Sequence, residues 1–479
     1  MYRRFTPSSA RVVQSSSASS PIGSRTLPRP SRFTLFMALA LLALASEWLA
    51  PAPLRAQLPQ VEITPVDNRV LTHREQAPII RARVEERFET LLPDLMRREG
   101  IDMWIVITRE YNDDPVFKSM APLTTYSSRR RTMLVFHDRG GQQGVDRISV
   151  GRFDYDGLFD VYRTHNDSQY VGLRELVEER DPQSIGINVS NSWNHADGLT
   201  HNEYTRLEEA LGPYADRLTS AEMLSVGWLE SKLPSETAHY RYVMRIAHQV
   251  IGEAFSNKVI VPGVTTDTDV EWWMRQRVAE LGLGQWFHPS INVQRRGGLP
   301  EEPNLHGTVI ERGDMLHTDF GIILLGYSTD TQHNAYVLRP GEAEAPEGLK
   351  AGLRAANRLQ DLTMEYAVLG GTGNEALAAA LGQARAEGMT PSIYCHAIGY
   401  HGHAAGPPIG MSDYQDGVPV RGDYQFRPNS WHSIELNVRH PVPEWGGQEV
   451  RFALEEDAAI LEDGWSWING RQTDFYLIR

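Results

Sequence analysis

The segment GDMLHTDFGIILLGYSTDTQHNAYV, residues 313–337, restricts what this chain can fold into more than any other. Apolar and polar residues roughly alternate around Asp319, Gly321 and Gly326 follow, and Asp330 lies eleven positions beyond the first aspartate. The pattern predicts two short strands with a tight reversal near Leu324 to Tyr327. In such a hairpin an odd separation can set the two aspartates opposite each other on one face, with Cβ atoms roughly 5 Å apart. Carboxylates that close repel, and one stays protonated unless cations lie between them. A pair of divalent metals, roughly 3.5–4 Å apart, would resolve the conflict and supply hydrolytic chemistry. A hairpin with two solvated aspartates is the plain alternative. Further ligands downstream decide between them.

Such ligands follow. IYCHAIGYHGHAAG (393–406) places His396, His401 and His403 in a glycine-rich setting at the end of an apolar strand. HSIELNV (432–438) is a strand with one acidic residue, Glu435, among apolar neighbours, and VRFALEEDAAI (450–460) offers Glu455 and Glu456 at a strand end. A buried strand glutamate without a partner is costly, so Glu435 needs a cation or a donor. Two aspartates, one histidine and two glutamates suit two hard or borderline divalent ions such as Mn, Co or Zn. A single zinc held by the histidines of 396–403 is the rival, and it leaves Asp319, Asp330 and Glu435 unexplained. The chain contains no H-E-x-x-H, no G-x-S-x-G and no Gly-Lys pair for a phosphate-binding loop. GGTGNE (370–375) follows no clear strand of a βαβ unit and is expected to be an interhelix turn rather than a nucleotide site.

The remainder of the chain organises around this set. Residues 1–32 carry six arginines and no acid, then FTLFMALALLALA (33–45) forms an apolar run before a small-residue stretch ending LRAQ. A basic start, a short apolar core and a small-residue exit describe a secretory signal peptide over 1–56, cleaved after Ala56. The apolar run is too short to anchor in a bilayer comfortably, so no stable membrane insertion is expected after cleavage, and the product is secreted or periplasmic. An uncleaved anchor is the competing reading. Removing the leader takes seven arginines and one glutamate from a formal charge of −14, leaving the rest more acidic still. A surface that acidic argues against nucleic acid as a partner. Cys395 is the single cysteine, so neither an intramolecular disulfide nor a cysteine-based zinc site can form.

Residues 57–74 are expected to be a linker and 75–230 an α/β domain. Glu75–Arg98 carries a helical apolar period that Gly100 stops; 101–108, 132–138, 147–153 and 184–190 are strand candidates; Glu203–Leu211 and Ser220–Glu230 are helical. Arg129-Arg130-Arg131 is expected on a solvated face, and DGLT (197–200) at a helix start. No catalytic motif lies in this domain, whose expected role is to shape the mouth of the site or to make a subunit contact. A second domain spans 235–479. Ser235 is the expected N-cap of its first helix, which Pro262-Gly263 breaks, and a second helix runs from Asp267 to Gly282. FHPSINVQRRGGLPEEPNLHG is expected to be loop, and a helical pair spans Pro346 to Glu387.

On these residues the chain resembles the metallopeptidases of the pita-bread fold: methionine aminopeptidase, prolidase and aminopeptidase P. Asp319 in D-F-G, Asp330 in S-T-D-T, His396 in Y-C-H-A-I-G, Glu435 in S-I-E-L and Glu455 in L-E-E-D resemble the five metal ligands of that family. His403 falls where the family has a substrate-facing histidine, and His306 in N-L-H-G resembles its histidine near the leaving group. The resemblance covers about 235–479, and the preceding domain is similar to the creatinase/prolidase-type N-terminal domain. Three departures stand out. Gln332-His333 replaces the usual Thr-Arg, the interval from His306 to Asp319 is short, and His401 is added to the histidine block.

The resemblance implies an α/β N-terminal domain followed by an α+β pita-bread catalytic domain. It implies two bound divalent ions, manganese first, that hold a water as hydroxide. In that scheme Glu435 takes the water's proton and passes it to the leaving amine. His403 helps to stabilise the oxyanion, and His306 hydrogen-bonds near the scissile amide. The two-domain layout resembles the proline-directed members, so the expected activity is cleavage of N-terminal Xaa-Pro bonds of a peptide substrate, with a homodimer as the expected assembly. A prolyl bond lacks an N–H and bends the chain, so it needs a dedicated site. The rivals are a metal-free amide or amidino hydrolase and a non-catalytic binding protein of the same fold.

Overall fold

The computed structural model describes residues 69–162, 168–299 and 307–479. The leader, most of the linker (57–68) and His306 lie outside these described residues. Thr72 caps the first helix, α1 (His73–Thr90), by a reciprocal box with Glu75. The periodic stretch expected to run on to Arg98 instead breaks at Leu91, because Pro93 suits only the first turn of a new helix, α2 (Leu92–Arg98).

Six strands follow: β1 (Met103–Arg109), β2 (Arg131–Asp138), β3 (Val145–Val150), β4 (Asp160–Tyr162), β5 (Ile185–Ile187) and β6 (Leu218–Ser220). They form one mixed sheet in the order β4-β3-β2-β1-β5-β6. Central β1 reads Met-Trp-Ile-Val-Ile-Thr and is buried on both faces, as a strand with cover on both sides must be. One face carries α3 (Gln169–Arg180) and α4 (His201–Leu211). The other packs on α1, α2 and α5 (Glu222–Glu230) through Trp104, Phe136 and Phe88, with Phe88 stacked on Trp228 at 5.4 Å between centroids. Arg131 does not lie on a solvated face. With Arg109 it grips Glu203, at 2.7 and 2.5 Å, because that buried carboxylate must find cations.

The second half begins with α6 (Pro234–Ala254), whose cap is Leu233 rather than Ser235. Pro234 takes the first helical position, which its fixed φ favours, and the Glu236 carboxylate accepts from Leu233 N at 2.8 Å. Then come α7 (Asp267–Glu280), β7 (Ser290–Gln294), β8 (Met315–Phe320), β9 (Ile323–Leu324), β10 (Tyr327–Ser328) and β11 (Thr331–Val337). β7 corrects the expectation of a loop through this region. Ser-Ile-Asn-Val-Gln alternates, and pairing with β8 outweighs the surrounding glycines and prolines.

Helices α8 (Glu347–Tyr366) and α9 (Gly373–Ala386) are joined by the expected turn, closed by a capping box between Thr372 and Glu375. The last strands are β12 (Thr390–Ile393), β13 (His396–Ala397), β14 (Ser430–Ser433), β15 (Leu436–Val442), β16 (Gln448–Leu454), β17 (Asp457–Leu461), β18 (Gly464–Trp467) and β19 (Tyr476–Ile478). They complete three small sheets in the orders β19-β11-β8-β7, β12-β15-β16 and β13-β14-β17-β18. The apolar face of α8 lies on β15 and β16. Among the described residues no helix is long and apolar enough to cross a membrane.

A buried polar hub joins the two halves. Arg87 of α1 pairs with Glu236 of α6 at 2.7 Å, both side chains wholly inaccessible. Glu236 also accepts from the hydroxyls of Tyr327 and Tyr400 at 2.9 and 2.7 Å. Arg83, one turn earlier on α1, lies over the Tyr327 ring at 4.4 Å and donates to Leu325 O at 2.7 Å. Leu325 and Gly326, at φ 56° and 78°, form the reversal between β9 and β10 at the expected place. For leucine this left-handed conformation costs roughly 1–2 kcal/mol, and the Arg83 bond holds it.

Candidate metal centre

Antiparallel pairing of β8 with β11 sets Gln332, not Asp330, directly opposite Asp319. Asp330 lies two positions from Gln332 and therefore on the same face, next to Asp319. The offset follows from the reversal at Leu325-Gly326, which fixes the register of the whole hairpin. Gly321 permits this crossing, since a Cβ there would lie 2.3 Å from Thr329 O.

The other donors arrive from chain breaks between sheets. His396 opens β13, Glu435 lies in the step from β14 to β15, and Glu455 lies in the step from β16 to β17. Each step is a place where the chain leaves one small sheet for another, so a polar side chain there can turn inward without replacing a core residue. An isolated bridge between Gln332 and Glu455 ties the last step to the aspartate hairpin. Donor atoms of Asp319, Asp330 and Glu455 lie within 4.8 Å of one another, as do those of His396, Glu435 and Glu455, and those of Asp330, His396 and His403. These overlapping groups bring together all five expected ligands and His403. Asp330, His396 and Glu455 are buried, whereas Asp319 and Glu435 keep some exposure. That leaves a path into the centre.

Electrostatics mark the set as incomplete without cations. Burial, reinforced by the neighbouring Glu455, pushes Asp319 up to about 7 and holds Asp330 and Glu435 well above the usual carboxylate range. Burial alone would depress His396, but contacts with Asp330 and Glu455 raise it well above its ordinary value. Asp319 Oδ1, Asp330 Oδ1 and His396 Nε2 are buried without a hydrogen-bond partner. His396 Nε2 faces Glu455 and Asp330 oxygens at 3.3 and 3.6 Å, while Nδ1 meets Ala397 O at 3.0 Å. A backbone carbonyl on one imidazole nitrogen orients the other as a ligand. The donor set therefore fits bound divalent metal.

Supporting residues complete the arrangement, and several were not assigned from sequence. The Gln332 amide donates to Glu435 Oε1 and Glu455 Oε2, both at 2.8 Å. Its own oxygen meets His317 Nε2 at 2.9 Å, and His317 Nδ1 meets Asn292 at 3.1 Å. Ser433 Oγ donates to Glu455 at 2.7 Å, and the buried thiol of Cys395 donates to Glu435 O at 3.2 Å. The strand alternation of 330 and 332 was the available signal for Gln332.

At the mouth His403 is exposed on one side, edge-on to His396 at 4.6 Å and to Trp286 at 5.3 Å. Desolvation, then the adjacent His396, pushes it down to about 4, so it is neutral at physiological pH. His401 does not join the centre. Its ring lies 4.8 Å from that of His195, which comes from the N-terminal domain. The three histidines thus do not converge on one ion. Gly402 between them abuts Trp286, whose ring a Cβ would approach to 2.4 Å.

Residues 238–459 match the family model described as metallopeptidase family M24. The uncharacterized peptidase YqhT of Bacillus subtilis (strain 168) is 25% identical over 262 residues, 52% of this chain and 67% of that protein. In fold the chain is similar to the X-Pro aminopeptidase of Thermotoga maritima, with a TM-score of 0.59 and 16% identity over 80% of this chain and 99% of that one. It is also similar to the Xaa-Pro dipeptidase of Bacillus anthracis, with a TM-score of 0.53 and 19% identity over 84% of this chain and all of that one. Both likenesses span the N-terminal domain as well as the second.

Proposed function

Because its second half is a metallopeptidase family M24 domain of pita-bread fold, we propose that this hydrolase cleaves the Xaa-Pro bond at the N-terminus of a peptide, as an aminopeptidase P or a prolidase does. The observation that carries the reading is the convergence of Asp319, Asp330, His396, Glu435 and Glu455 on one partly open centre whose buried donor atoms lack partners. Two full-length structural relatives named for X-Pro cleavage support the proline preference through shared architecture.

Asp319, Asp330, His396, Glu435 and Glu455 would hold two divalent ions, manganese, cobalt or zinc. Such ions, when bound, supply Lewis acidity and a water of lowered pKa. The protein's own residues do the remainder. Glu435, partly exposed and held by Gln332, accepts a proton from the attacking water and returns it to the leaving amine. Neutral His403 at the mouth donates a hydrogen bond to the oxygen that gains charge. His306 is proposed to approach the scissile amide. The leader carries the further proposal of export to a secreted or periplasmic location, which sequencing the mature N-terminus would check, with Gln57 as the expected first residue.

The test is hydrolysis of Gly-Pro and of Gly-Pro-Xaa peptides by chelator-stripped protein, before and after Mn, Co or Zn is added. Metal-restored cleavage of the dipeptide alone identifies a prolidase, and cleavage of the longer peptide before proline identifies an aminopeptidase P. Folded, metal-loaded protein that cleaves neither refutes the proposal.

A further inference from the structure

Strand β11 has two faces, and only one looks at the centre just described. Gln332 points into it, and His333, the next residue, points to the far side, as successive strand residues do. The step from Glu455 to Glu456 divides in the same way. On the far side α6 contributes His248. Glu456 Oε2 lies 2.9 Å from His248 Nε2, and Glu456 Oε1 meets His333 Nε2. The two ring centroids are 5.2 Å apart. The three donor atoms all lie within 4.8 Å of one another.

Each ring is also held at its other nitrogen. The side-chain amide of Asn469 lies 3.1 Å from His248 Nδ1, and the Tyr476 hydroxyl lies 3.4 Å from His333 Nδ1. His333 and Glu456 are buried, while the His248 side chain keeps 18% of its surface exposed. Solvent therefore reaches the His248 ring at the edge of the cluster.

We propose that His248, His333 and Glu456 form a separate site for one zinc-like divalent ion, with a fourth position open to water. Two imidazoles and one carboxylate are a donor set that zinc takes with an open position. Ligating histidines are oriented by a group at the second nitrogen, which Asn469 and Tyr476 provide. The two amide atoms of Asn469 exchange places on a flip, so its oxygen can accept from Nδ1–H of His248. The site ties α6 to β11 and to the 455–457 segment, behind the wall of the first centre. It also gives a function to the Gln332-His333 pair, whose two members serve opposite faces. The competing filling is by protons. Glu456 would then accept from Nε2–H of both rings, and Nδ1 of each would accept from its neighbour. Zinc displaces those protons and reverses the tautomers.

The experiment is equilibrium dialysis of chelator-stripped, full-length protein against zinc, with bound metal counted by mass spectrometry for wild type, H248Q, D330N/E455Q and the triple variant. The proposal expects H248Q to bind about one equivalent less than wild type. It expects D330N/E455Q to keep about one equivalent that the triple variant loses, and cobalt bound to D330N/E455Q to show the visible absorption of a low-coordinate, nitrogen-ligated ion. Equal zinc in wild type and in H248Q overturns the site, as does folded D330N/E455Q that binds none. The partly exposed position of His248 makes H248Q the variant that keeps the comparison readable.

Discussion

Two clusters of buried charge flank the same hairpin, and they are built on opposite plans. At its reversal, Glu236 is surrounded by Arg87, Arg83 and two tyrosine hydroxyls. At its base, four carboxylates share one imidazole. Burial opposes ionisation in both places. At the reversal the guanidiniums of Arg87 and Arg83 overcome it and hold Glu236 at about 2. At the base a neighbouring carboxylate adds to it, and Asp319 rises to about 7. The same side-chain chemistry thus titrates in opposite directions, according to whether the chain itself supplies the cations. In the first cluster the chain supplies its own countercharges. In the second it does not.

Replacing one carboxylate at the base should separate the two plans most sharply. D330N is expected to lower kcat/KM on Xaa-Pro peptides by several kcal/mol, ~10³-fold or more. In metal-free protein the same change should raise the thermal midpoint, because one of the repelling groups is gone. A stripped D330N that melts below stripped wild type would break the comparison. At the reversal the converse holds. R87M leaves Glu236 buried without its pair and should cost about 3–5 kcal/mol in denaturant unfolding, with turnover per folded molecule unchanged.

Acid sharpens that contrast. Because the folded-state value of Glu236 lies below the ordinary 4.5, its contribution is present above about pH 4.5 and is lost as pH falls towards 2. The stability gap between wild type and E236Q should therefore narrow over that window, and a gap that widens on acidification would contradict it. Next in size, H403A should lower kcat by 10²–10³-fold, about 2.7–4 kcal/mol, while metal content stays constant. Smallest, Q332A should weaken metal binding roughly 10–100-fold, read by competition with a chromogenic chelator, since it frees Glu435 and Glu455 without removing a ligand.

The base of the hairpin was legible in sequence and the reversal cluster was not. The reason is the range of the signals. Asp319, Asp330, His396, Glu435 and Glu455 each stand out as a polar residue in a locally apolar strand pattern, so their burial problem is visible one segment at a time. Arg87 and Glu236 look like ordinary polar positions of two amphipathic helices, and only tertiary contact reveals the pair. His248 is hidden in the same way. Gln332 was noticed but had no role until the register placed it opposite Asp319. Strand β7 was lost among glycines and prolines because pairing with β8, rather than its own composition, makes it a strand. The cap of α6 lies two residues before Ser235, since a proline at the first helical residue outweighs a serine one residue later.

β19 is made after every other element described here, yet it pairs in parallel with β11 over Ala335–Val337. Just before it, Gln472 bonds the backbone N and O of Asn334, and Tyr476 stands beside His333. The strand that presents one face to each cluster is therefore pinned by a segment that follows every other described element in the sequence. A nascent chain can assemble its first sheet early, but the wall between the two clusters is closed only after synthesis has passed residue 478. A chain cut before residue 472 would therefore keep every proposed ligand and lose the segment that holds their strand in place.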